Sequence, residues 1–154
     1  MAITDLIFFV PIIFGIAMLW VIGLQVSDQI TPELNATLNE KGANIINQTS
    51  SHILKLDYLF IFLVFGVLLV IALIASQIQV SPIFFVFAII LFLIVLGLSG
   101  TFANVYFTFA ENQAPDAAEQ MPWTLEVFKH LPIIVLIFGA IILILMYGKM
   151  RGGY

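Results

Sequence analysis

Residues 6–24 read LIFFVPIIFGIAMLWVIGL, nineteen positions without a single charge. At 1.5 Å per residue, a helix of this length covers close to the ~30 Å of hydrocarbon in a bilayer. Pro11 would break such a helix in water. In a membrane helix the freed carbonyl is satisfied by neighbours, so a kinked span is expected instead. Trp20 falls near the far end, where an amphipathic ring prefers the lipid–water boundary.

Three further stretches repeat the pattern. Residues 58–75 read YLFIFLVFGVLLVIALIA, with Asp57 just before them. Residues 82–110 open with PIFFVFAIILFLIVLGLSG and stay apolar until Glu111. Residues 132–148 read PIIVLIFGAIILILMYG. The composition agrees: 62% of the chain is apolar and 9% charged, against roughly a quarter charged in soluble domains. So little charge cannot coat a water-facing surface. The expectation is an all-α integral membrane protein forming one domain over 1–154, its four transmembrane helices arranged as antiparallel hairpins.

The connections carry the remaining signals. In residues 25–57, Thr31, Pro32 and Glu33 read as a helix start, with a cap, a proline at the first position and an acid in the first turn. Leu34, Leu38, Ile45, Ile46, Thr49, Ile53 and Leu56 then recur at helical spacing, with Gly42 as a weak middle. This predicts an amphipathic helix lying at the membrane interface. Residues 76–81, SQIQVS, are short and uncharged, as in a helix hairpin, and Ser81 and Pro82 read as the next helix start. Residues 111–131 contain Asp116, Glu119, Glu126 and Lys129, divided by Pro115 and Pro122. Here Trp123 and Phe128 are candidate partner contacts or interface anchors. Asp5 stands where a signal peptide would carry a positive charge, so the first stretch reads as a retained anchor. Four crossings put both termini and the 76–81 link on one side, and Lys149 and Arg151 favour that side as the inner one.

No ionisable residue falls in the middle of any span, whereas ion pumps and proton relays need such groups at depth. Asp5, Asp57 and Glu111 flank spans and read as markers of the water boundary. Haem between helices would need a histidine within a span, and none is there. With no cysteine, thiolate nucleophiles, disulfides and cysteine-held clusters are excluded. Glu126 and His130 are four apart and share a helix face, but a metal needs three or four ligands and only His52 could add an imidazole. The net charge of −4, without a basic run, leaves nucleic-acid binding by an electrostatic patch unsupported, and no nucleic-acid partner is expected. Gly15, Gly66, Gly97, Gly100 and Gly139 are candidate points of close helix approach. Asn35 and Asn47 begin glycosylation patterns, which matter only in a eukaryotic secretory setting.

From Asp57 onward the chain resembles a loose family of small membrane proteins from viruses and proviruses of bacteria and archaea, especially tailless virions with an internal membrane. The resemblance rests on Asp57 and Tyr58 before a span, Ser81, Pro82, Ile83, Phe84 and Phe85 opening the next, and Asn104, Val105 and Tyr106 at its end. Leu131, Pro132, Ile133 and Ile134 open the last span, and Tyr147, Gly148 and Lys149 close it. It implies a component of a virion membrane and supplies no catalytic residues. The sequence reading is therefore a non-enzymatic structural protein without cofactor or metal, in a virion internal membrane or a host membrane. Its partners are the lipid bilayer and other membrane or capsid proteins, with a homo-oligomer left open. The alternatives are an accessory subunit of a cellular respiratory or oxygenase complex and, behind it, a holin-like pore, which needs a polar face within a span.

Overall fold

The computed structural model describes residues 2–37, 40–78 and 80–151. These residues form α1 (Ala2–Thr37), α2 (Glu40–Gln77), α3 (Pro82–Gln113), the short α4 (Pro115–Glu119) and α5 (Pro122–Arg151), with no strand among them. The four long helices are each long and apolar enough to cross a membrane. The protein is an all-α membrane protein.

The long helices pack in a ring. α1 lies beside α2 and α3, and α5 lies beside the same two from the opposite side. Aromatic pairs give the directions. Trp20 meets Phe60 while the groove between α1 and α2 takes Phe9 together with Ile71, so α1 and α2 run antiparallel. Phe85 meets Tyr147 and Tyr106 meets Phe128, so α3 and α5 are antiparallel. Phe60 meets Phe128 and Phe65 meets Phe138, so α2 and α5 are parallel neighbours. α2 and α3 make no contact among the described residues. The two helices expected to form a hairpin at the 76–81 link are therefore not a packed pair but lie across the ring from each other.

Polar residues mark the membrane register on three helices. Asp5 to Gln25, Asp57 to Gln77 and Lys129 to Lys149 are each twenty residues apart, about 30 Å of helix and the thickness of the hydrocarbon. On α3 the matching stretch runs from Ile83 to Ala103, followed by Asn104. Between these markers large apolar side chains face outward, among them Phe62, Leu69, Phe84, Phe87 and Ile144. In water such a surface would aggregate, and in a bilayer it faces lipid tails.

Two expected helix boundaries are corrected. Thr31 does not start a helix: it lies inside α1, and its hydroxyl donates to the Ser27 carbonyl at 2.6 Å. Pro32 is likewise inside α1, so no separate interfacial helix begins there. Residues 25–37 continue α1 and residues 40–57 open α2, which runs through Gly42 without a break. The local start signal is overridden because the α1 extension packs on α4: Gln25 donates to the Gln113 carbonyl, and Gln120 donates to Asp28 at 3.0 Å. Similarly, the helix that carries the fourth span does not begin at Pro132: α5 starts ten residues earlier, at Pro122, and Pro132 sits within it. Beyond the register, α1 extends about 18 Å and α2 about 25 Å. Together with α4 and the ends of α3 and α5, they form a polar head on one side.

Of the glycines singled out by sequence, Gly139 alone marks a close approach. An added Cβ there would run into the Phe92 ring of α3, whereas Gly15, Gly66, Gly97 and Gly100 face open space.

Candidate functional site

The polar centre of the protein is where α2 meets the first turn of α5. Asp57 is buried, 2% exposed. Its carboxylate accepts the backbone N–H of Trp123 at 3.0 Å and of Thr124 at 2.8 Å, and the Thr124 hydroxyl at 2.6 Å. The arrangement follows from the α5 sequence. A helix leaves its first N–H groups without intrahelical partners. Pro122 has no N–H to satisfy, so the next two residues carry the unmet donors, and both point at Asp57. Met121, just before the helix, offers no side-chain acceptor. An acid from another helix therefore takes the role of the missing cap. The positive end of the α5 dipole points at the same carboxylate.

Below this lock lies an aromatic stack in which all four long helices meet. Tyr106 of α3 lies flat on Phe128 of α5, centroids 4.2 Å apart and planes 12° apart. Phe60 of α2 stacks on Phe128 at 6.2 Å and 18°, and Phe14 of α1 meets it edge-on at 6.2 Å. Such ring pairs contribute about 0.5–1.5 kcal/mol each beyond area burial. Directional contacts of this kind matter here, because lipid tails are as apolar as the helices and burial alone gives little drive to pack.

Phe128 is thus corrected as a partner contact. It is fully buried at the centre of the stack and cannot meet another protein. Trp123 stays on the surface, 41% exposed, with its ring 6.0 Å from the exposed ring of Tyr58. That pair sits at the edge of the hydrocarbon, where aromatic belts form.

No family model, curated protein or solved structure matches this chain. The site's own chemistry must therefore carry the functional argument.

Glu126 and His130 do share a face, 3.3 Å apart, and Lys129 approaches Glu126 at 3.5 Å. His52 lies exposed on α2 and is not brought to them. Among the described residues no three His, Cys, Asp or Glu side chains gather as a metal site. The exposed Glu126 cluster has the makings of ordinary surface pairing. Ser81 does sit at the cap position of α3 with Pro82 following, but its hydroxyl makes no capping bond.

Sequence spacing does not reveal the lock. In the sequence Asp57 has the look of a boundary marker because it adjoins an apolar run. The available signal was on the other partner: a helix opening with Met121 and Pro122 has no local cap, so its donors must be met by a distant acceptor.

Proposed function

We propose that this protein is a non-catalytic structural membrane protein of a virion internal membrane, its polar head contacting a capsid or neighbouring membrane protein. The observation that carries the reading is the use made of Asp57. It is a buried charge, and its hydrogen bonds all go to the start of α5, so it holds helices together rather than facing a substrate path. The head supports the contact role. It contains eight of the nine acids and three lysines, whereas Asp5, Lys149 and Arg151 lie at the opposite end. A surface of that charge suits a basic partner layer. In this reading both termini lie on the inner side of the membrane and the head on the other. The virion setting rests on the resemblance described above.

The test is extraction from the native source in mild detergent, followed by mass spectrometry of what co-purifies. Capsid proteins recovered at constant ratio to this chain are expected. Recovery with oxidoreductase subunits instead would replace the reading by an accessory subunit of a cellular complex.

A further inference from the structure

One groove on the lipid-facing surface has a charged end. It runs between α1 and α2, away from the polar head, and has a volume of about 240 Å³. Phe9, Ile13 and Ile71 form its floor, each at most 4% exposed. Leu63 and Val67 stand at its rim, and Asp5 lines its outer end. Asp5 is one of the polar residues that mark the edge of the hydrocarbon, and Ile13 lies eight residues, about 12 Å, deeper along α1. The groove therefore opens at the membrane boundary beside a carboxylate and runs inward over an apolar floor.

That polarity, charge at the boundary and hydrocarbon below it, is the polarity of a lipid molecule. The volume, spread along about 12 Å of helix, makes a slot for a single extended chain and is too narrow for a helix 10–12 Å across. A second copy of the bundle could only lie over it. The charge then selects among lipids. Asp5 is exposed and makes no ion pair among the described residues. Lys149 and Arg151 share its end of the protein, but they belong to α5, which has only slight contact with α1, and neither lines the groove. A carboxylate at the hydrocarbon edge without a cation from its own chain attracts an ammonium and repels an anionic headgroup. We propose that the α1–α2 groove binds one acyl chain of a phospholipid whose primary ammonium headgroup pairs with Asp5. The chain lies along Phe9, Ile13 and Ile71, the ammonium donates to the carboxylate, and the phosphate stays outward in the headgroup layer.

The experiment compares two headgroups on identical tails. The full chain in mild detergent is mixed with equal amounts of dioleoyl phosphatidylethanolamine and dioleoyl phosphatidylglycerol, and bound lipid is counted by native mass spectrometry. One phosphatidylethanolamine per chain is expected, favoured about two- to fivefold over phosphatidylglycerol, the range of a solvent-exposed ion pair. Asp5→Asn should bring the ratio close to one. Val67→Phe, which fills the groove from its rim, should lower retention of both lipids. Both positions are exposed, so both variants should keep the native unfolding midpoint. A native ratio of one, or one favouring phosphatidylglycerol, overturns the proposal. A preference that survives Asp5→Asn places the headgroup elsewhere and overturns it. Retention unchanged in Val67→Phe places the tail outside the groove and does the same, as does a dimer of the chain that excludes the lipid.

Discussion

Asp57→Ala deletes the acceptor of three hydrogen bonds at the start of α5. Bonds to a charged group contribute about 1.5–3 kcal/mol each, net of the water they replace. The three share one carboxylate, so their contributions do not simply add. The Trp123 side of the lock is partly open, and headgroup water can recover part of its N–H bond. Thr124 is fully buried and has no such recourse. Its orphaned N–H and hydroxyl, each costing ~1–3 kcal/mol, therefore dominate. The expected loss is about 3–5 kcal/mol, well above the ~0.5–2 kcal/mol of an exposed cap. Asp57→Asn keeps one oxygen for Thr124 but turns an amide N–H toward Trp123, so its loss should fall between the native chain and the alanine variant. The assay is unfolding of the full chain in mixed micelles of rising SDS fraction, followed by tryptophan emission. Trp20, packed edge-on to Phe60 at 5.6 Å, reports the core. Hydrogen exchange supplies the local readout: the Trp123 and Thr124 amides should exchange faster by orders of magnitude, with the Val135 amide much less affected under native conditions. An alanine variant within about 0.5 kcal/mol of the native chain, the range of ordinary surface changes, would refute the argument.

Gly139→Ala should destabilise the α3–α5 pair by about 1–3 kcal/mol, because the new methyl displaces the Phe92 ring. Adding Phe92→Leu should recover part of that loss, and a strictly additive double-mutant cycle would contradict it. Phe128→Ala should cost about 3–5 kcal/mol by opening a cavity in the stack, whereas Trp123→Ala should leave the unfolding midpoint nearly unchanged while lowering recovery of the chain in its assembly. The chain has no cysteine, so single cysteines at Gln48 and Asp116 can be labelled cleanly, and both should react from the same face of the membrane.

The four crossings were legible because nothing but a bilayer tolerates apolar runs of this length, and hydropathy needs no knowledge of neighbours. The helix ends were not legible, and Thr31 with Pro32 shows why. Their pattern starts a helix when the preceding chain is irregular, yet Gln25 and Asp28 tie the preceding turns to Gln113 and Gln120 and carry the helix through. Those ties join residues about ninety positions apart, where periodicity has no reach. Phe128 fails for a related reason. Among the polar residues of 111–131 an aromatic reads as an anchor exposed to a partner. Once α5 begins at Pro122, Phe128 is six positions along it, and helical phase turns it into the bundle while Trp123 faces out.

The same contrast explains what specifies this bundle. In water, burying the apolar faces of four helices would nearly decide the arrangement. In lipid that gain is small, and any face of Phe, Ile and Leu suits the tails about as well as a neighbour. A unique ring then needs contacts that lipid cannot imitate. Acyl chains cannot cap the N–H groups of Trp123 and Thr124, and they cannot reproduce a flat stack at 4.2 Å or the notch at Gly139 that admits Phe92. Each of these three features holds α5 against α2 or α3. α5 makes only slight contact with α1 and lies between α2 and α3, which do not pack on each other among the described residues. α1 holds the matching place on the other side of the ring, but these three fastenings all fall on α5, and Asp57 fixes its register at the end where the polar head begins.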